Sequence, residues 1–251
     1  MFGTGRGRAN YTDVVNLYRD QGVVLRTIKL GETDRIVTLL TQGHGKVRAV
    51  AKGVRKSGSR FGGRLEPTSH IALQCYRGRE LDVVTQVETI DANRALREHY
   101  GCLTHAISML EATDQVAQER EANPALYRML VGALRTLAEN PNPLVSAAFF
   151  WKLLSLEGFH PLLDACARCG DDGPFTAFDL DEGGVLCASC GRHMGRRIDA
   201  DTLQMVRQIL GGELRVALAE PAGPTTVATE RLALTSLEHH LERRLRSAAL
   251  L

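Results

Sequence analysis

Residues 34–67 read DRIVTLLTQGHGKVRAVAKGVRKSGSRFGGRLEP. Two apolar, β-branched runs, RIVTLLTQ (35–42) and VRAVAKG (47–53), flank the turn signal HGK. Working outward, GVVLRTIKL (22–30) precedes them across the polar GETD. HIALQCYRG (70–78) and ELDVVTQVETI (80–90) follow, joined through Arg77-Gly78-Arg79. Several of these runs alternate apolar and polar residues, as strands with one buried face do. Five short strands in this span match the size and count of an OB-fold, a small, partly open Greek-key barrel. A small SH3-like barrel gives a similar pattern.

After Asp91 the period changes. Leu96, Tyr100, Leu103, Ile107 and Leu110 step as one face of a helix. Asn123-Pro124 starts a second helix with its apolar face at Leu126, Leu130, Ala133, Leu134 and Leu137, and NPNP (140–143) breaks it. LVSAAFFWKLLSLEG (144–158) is apolar enough to be a central, buried helix. DADTLQMVRQILGG (199–212) has Asp caps and a Gly stop. A long amphipathic helix is predicted from about Thr225 to Leu250, with its apolar line at Val227, Leu234, Leu237, Leu241 and Leu245. The fold class is α+β: an N-terminal OB-fold-like barrel, then a helical domain with an inserted four-cysteine module. The expected divisions are a flexible extension (1–20), the barrel (21–90), a first helical part (91–160), the cysteine module (161–196) and a second helical part (197–251).

Charge is unevenly spread. Residues 1–65 carry thirteen Lys and Arg against four Asp and Glu, while the other 186 residues carry 18 against 25. The N-terminal part is therefore expected to face a polyanion. Between Gly45 and Leu65 lie Lys46, Arg48, Lys52, Arg55, Lys56, Arg60 and Arg64 with no acid among them. Lys46 and Arg48 should be held on the third strand. Lys52 to Arg64 should form a glycine-rich connection that stays mobile until a polyanion orders it. Arg26, Lys29 and Arg35, on neighbouring strands, extend the candidate phosphate-binding surface. Phe61 is the single aromatic of the segment, so binding led by the phosphate backbone, with little base stacking, is expected.

Cys166, Cys169, Cys187 and Cys190 form two C-x2-C pairs separated by 17 residues. That spacing reads as a zinc site: each pair sits on a tight turn, and the intervening segment is long enough to bring the turns together. Four thiolates close a tetrahedral shell and leave no position for water, so the single Zn2+ is expected to be structural. His160 and His193 flank the site but are not needed as ligands. Cys75 and Cys102 stand alone and read as small buried hydrophobes.

Catalytic signatures fail. No P-loop, H-E-x-x-H or G-x-S-x-G occurs, and GTGRGR lacks both the last glycine and the preceding strand of a dinucleotide loop. An EF-hand reading of Asp179, Asp181 and Gly183 breaks at the fifth and twelfth positions. The only H-x-E, at His240 and Glu242, follows the cysteines, the wrong order for a zinc deaminase. A non-enzymatic protein is expected. No apolar run is long enough to span a membrane, and the N-terminus has no secretory apolar region, so the default location is cytoplasmic.

In their order, these parts resemble the RecO family of bacterial recombination mediators. The resemblance rests on the second strand, the glycine turn with Gly45-Lys46, the short strand VRAVAKG, the basic loop VRKSGSR and Leu65-Glu66-Pro67. It extends through the helical domain and the cysteine module, over roughly residues 20–250. It implies a nucleoid-associated protein that binds single- and double-stranded DNA and anneals complementary strands. It also implies RecR as a partner in loading RecA onto DNA coated by single-strand-binding protein (SSB), and an interaction with the acidic SSB C-terminal tail. Arg243, Arg244 and Arg246 beside Leu241 and Leu245 are a candidate surface for that tail. A competing reading is a zinc-containing protein–protein adaptor whose basic loop is not the DNA site.

Overall fold

The computed structural model describes residues 16–250. Five strands form a closed barrel: β1 (Leu17–Leu30), β2 (Asp34–Thr41), β3 (Gly45–Ala51), β4 (His70–Tyr76) and β5 (Asp82–Asp91). The strand order is β1-β2-β3-β5-β4, all antiparallel except the β3–β5 closure. This is the OB-type arrangement, which strand counting alone left open. β1 begins at Leu17, so residues 17–20 belong to the barrel rather than to the expected extension, whose first 15 residues lie outside the described ones.

Alternation divides the barrel residues between two cores. Val24, Val37, Leu39, Val47, Ala49, Ala51, Ile71, Leu73, Cys75 and Val84 fill the interior. Val23, Leu25 and Leu40 point the other way and join the core of the helical domain. A bulge between Val24 and Arg26 shifts the β1–β2 register and puts Leu25 and Arg26 on the same outer face. One strand thus serves both domains.

The helices are α1 (Arg94–Glu98), α2 (Tyr100–Val116), α3 (Pro124–Glu139), α4 (Leu144–Leu156), α5 (Ala200–Leu210), α6 (Leu214–Ala217) and α7 (Pro224–His240). Helix α4 is buried on nearly every side, as its composition demands, with Phe149, Phe150 and Trp151 at the centre of the core. Two helix expectations need correction. His99 is extended (φ −116°, ψ 114°) and splits the first helix. The face of α2 that packs is therefore Cys102, Ala106, Met109, Leu110, Thr113 and Val116, and Tyr100 is left 71% exposed. The last helix stops at His240 rather than near Leu250. Glu242 turns left-handed (φ 51°) and the chain folds back over α2. There the Glu111 carboxylate accepts hydrogen bonds from the backbone of Arg246 and Ser247 and from the Ser247 hydroxyl.

The insertion between α4 and α5 forms a small sheet of β6 (Phe175–Asp179), β7 (Gly184–Cys187) and β8 (Arg196–Arg197). No described helix is long and apolar enough to cross a membrane.

Candidate nucleic-acid interface and metal centre

The ten candidate cations fall into two groups. Seven gather where the β1–β2 turn meets the β3–β4 connection: Lys29, Arg35, Lys52, Arg55, Lys56, Arg60 and Arg64. The two loops are tied together, since Arg55 N–H donates to Thr33 O (2.9 Å) and the Asp34 carboxylate accepts from Gly53 N–H (2.7 Å). The Gly53 bond, and after it a bond donated by the Thr33 hydroxyl (2.8 Å), hold the Asp34 carboxyl below its ordinary range, helped by the nearby charges of Lys52 and Lys56.

The β3–β4 connection differs from the mobile loop that its glycines predict. Val54, Phe61 and Leu65 are buried and close one end of the barrel core. Successive turns are hydrogen-bonded through Lys56 N–Gly53 O, Ser59 N–Lys56 O, Gly62 N–Ser59 O and Arg64 N–Phe61 O, and Gly62–Leu65 is a 3-10 turn. Three apolar anchors in a polar stretch were enough to order it. Their signal was visible in the sequence but masked by composition. Phe61 is 1% exposed, so it is closed to a base.

The charges project outward from this packed base. Lys29, Lys52, Arg55, Lys56, Arg60 and Arg64 are exposed. Arg55 donates to Glu32 O (2.9 Å) and Arg64 to Arg60 O (3.1 Å), contacts that orient each guanidinium without neutralising it. Arg60 lies 4.8 Å from the Phe61 ring centroid. Arg35 is half-committed, bridged to Glu66 at 2.8 Å.

Arg26, Lys46 and Arg48 point instead at the helical domain. Lys46 Nζ donates to Asp114 O (2.7 Å) and lies 3.6 Å from the Asp114 carboxylate, at the last turn of α2, where a cation also complements the helix dipole. Arg26 pairs with Asp114 at 2.6 Å, and Arg48 reaches Glu119 at 4.0 Å. The backbone completes this junction. Lys46 N–H donates to Gln118 O and Lys46 O accepts from Arg120 N–H, so the α2–α3 connection adds a short parallel bridge to β3. Gly45 has φ +65°, and a Cβ there would lie 1.9 Å from Glu121 O. The Gly45-Lys46 pair is therefore a docking element between domains.

The sequence reading missed a buried cluster at the opposite barrel end. Asp82 is fully buried. It accepts from Arg120 (2.8 Å), the Tyr18 hydroxyl (2.5 Å) and Gly78 N–H (3.0 Å). Burial opposes its ionisation, yet these three donors hold its carboxyl below the ordinary range. Burial and the bond to Asp82 push the Tyr18 phenol well above its usual value. The sequence signal was only Gly78 between two arginines.

In the insertion the four cysteine sulfurs lie within 4.8 Å of one another. The first turn is closed by Gly170 N–H to Cys166 O (2.9 Å), with Gly170 left-handed, and the second by the 3-10 turn Cys190–Arg192. The Cys169 and Cys187 sulfurs are 3.7 Å apart, close to the ~3.8 Å edge of a tetrahedron built on ~2.3 Å zinc–sulfur bonds. Burial opposes ionisation of Cys166, yet backbone N–H groups of Cys187, Cys169 and Arg168 bring its thiol down to about 6. The bond with Cys169 and burial push Cys190 up to about 12. Four thiols this close ionise together when a cation compensates them, so the donor set fits a metal ion. His160 and His193 are not in the cluster. Cys75 and Cys102 are buried and separate from it.

Comparison with known families agrees with this architecture. The family model described as recombination protein O N terminal matches residues 15–93, the barrel. The model described as recombination protein O C terminal matches residues 97–249, the helices and the cysteine module. With both halves matched in order over nearly the whole length, the chain belongs to the recombination protein O family of DNA recombination and repair mediators.

Proposed function

We propose that this chain is a non-enzymatic mediator that binds single- and double-stranded DNA by its phosphates and anneals complementary strands. With RecR, it would help load RecA onto SSB-coated DNA at the nucleoid. The observation that carries the DNA-binding part is the cationic barrel end: outward Lys and Arg side chains on a packed loop whose one aromatic is buried. Cations without stacking partners neutralise phosphates and leave the pairing edges of bases free, which suits annealing. The footprint is Lys29, Lys52, Arg55, Lys56, Arg60 and Arg64, with Arg35 at its margin. Four to six phosphate contacts correspond to a log–log salt slope of roughly −3 to −4 on single strands, at about −0.7 per contact.

The test is annealing of complementary oligonucleotides by the wild type and by a variant with Lys52, Arg55, Lys56 and Arg60 changed to Gln. The variant is expected to anneal poorly while melting like the wild type. Normal annealing would instead favour the adaptor reading. Partner binding in either reading would use a cleft of about 660 Å³ where Arg196, Arg243 and Arg244 outnumber Glu238 and Glu242 beside Leu234 and Leu245, a net positive, partly apolar surface for the acidic SSB tail. The four cysteines are proposed to hold one structural Zn2+. Cys166→Ser is expected to lose the metal and lower the melting temperature, with annealing affected only through stability.

A further inference from the structure

We infer that the barrel carries a second nucleic-acid contact, a base-stacking site at the β4–β5 end formed by Tyr76 with Arg77 and Arg79. The inference rests on the DNA-binding reading above and concerns the opposite end of the barrel.

Tyr76 closes β4 and pairs across the sheet with Leu17 and Val83. Tyr76 is 50% exposed, the most exposed aromatic of the barrel among the described residues, and its hydroxyl lies 3.5 Å from the Asn16 amide. Arg77 and Arg79 follow it, both exposed, and among the described residues neither is paired with a carboxylate. Glu80, also exposed, is the one acid of the turn.

The turn itself is rigid. Gly78 N–H is held by the buried Asp82 carboxylate, and Gly78 lies so close to Leu81 O that a Cβ would sit 1.9 Å away. Arg77 N–H donates to Asn16 O (2.6 Å), and the Arg77 guanidinium lies 5.7 Å from the Tyr18 ring centroid. An exposed ring with two exposed arginines among the next three residues, Arg77 lying on the Tyr18 side of the strand, presents a flat apolar face with positive charge close by. That pairing fits an unpaired base and its flanking phosphates, since stacking is available only to bases outside a duplex. The other barrel end offers charge but no open ring. The two ends would then divide the labour: one holds any phosphate backbone, and the other recognises a single strand.

The experiment measures affinity of the full chain for a fluorescent single strand and for a hairpin duplex, with Tyr76→Leu, Tyr76→Phe and an Arg77→Gln/Arg79→Gln double variant. Tyr76→Leu is expected to weaken single-strand binding about 5- to 30-fold, the lower part of the range for one stacked base. Duplex binding should stay within about 2-fold, and Tyr76→Phe should restore the single-strand value. The double arginine variant should weaken the single strand more than the duplex. Equal loss on both ligands, or single-strand binding unchanged in Tyr76→Leu, overturns the inference. The basic-loop quadruple variant is run alongside. If it loses both ligands while Tyr76→Leu loses neither, the DNA-binding reading stands and this inference falls. If it loses neither while Tyr76→Leu loses the single strand, the reverse holds.

Discussion

Lys46 and Lys52 come from one β3 segment and its continuation, in the same basic stretch, yet their surroundings differ completely. Lys46 is spent on the last turn of α2, beside Asp114, with the α2–α3 connection bonded to its backbone. Lys52 stands in solvent beside other cations on a loop closed by Val54, Phe61 and Leu65. The difference shows that a run of basic residues can contain two functions. A cation held by a part-buried carboxylate and a carbonyl is structural glue, and removing it orphans the carbonyl and weakens the pairing of the carboxylate. A cation with no such partner costs the fold little and is left available to a polyanion.

Substitutions can break that contrast, and the largest effect is expected at Gly45. Gly45→Val meets both the left-handed backbone and Glu121 O, so it should destabilise the protein on the order of 3 kcal/mol or more in urea unfolding. If stability is unchanged, the interdomain junction is not as tight as its geometry implies. Next is the loop: replacing Lys52, Arg55, Lys56 and Arg60 by Gln should reduce the salt slope for single strands by about 3, from about 0.7 per phosphate contact. Chemical stability should shift by no more than about 0.5 kcal/mol per site, as at ordinary surface positions. Lys46→Met should do the opposite. It should cost about 1–3 kcal/mol of stability through the orphaned carbonyl and weakened carboxylate pairing, with the salt slope unchanged. An altered slope in Lys46→Met would return that lysine to the DNA footprint.

The smallest effect belongs to pH. The Asp82 carboxyl is depressed in the folded protein, so its contribution is fully present above the unfolded value of about 3.9. It is lost as pH falls through the lower folded value. Asp82→Asn should therefore flatten the acid limb of the stability profile below about pH 4 and leave the slope near neutrality unchanged. Monitoring the β4–β5 turn by amide exchange over the same range would show whether Asp82 also holds Gly78.

The strands were legible because the outer and inner faces of the barrel are read at period two, and five runs at this spacing leave few architectures. The cysteine module was legible because two C-x2-C turns need only local geometry to aim four sulfurs at one point. The central helix α4 was legible because residues 144–156 are apolar all round. Less legible were helix ends. Tyr100 fits an apolar stripe, but the break at His99 rotates it into solvent. Leu241 and Leu245 continue the apolar line of α7, but Glu111 captures the backbone beyond them and the helix ends at His240. Periodicity cannot register a competing partner more than a hundred residues away.

The candidate DNA surface divides along the same line. Sequence by itself determined which residues are cationic, that acids are absent from residues 45–65, and that Phe61 is the only aromatic there. It also determined the barrel and the thiol cluster, because both depend on local period and spacing. Only the tertiary structure decided that the loop is packed, that Phe61 is interior, and that Arg26, Lys46 and Arg48 face the helical domain. The physical reason is that a charge's role depends on what lies within a few ångströms of it. For Lys46 that neighbour is Asp114, brought there by the packing of α2 against β1.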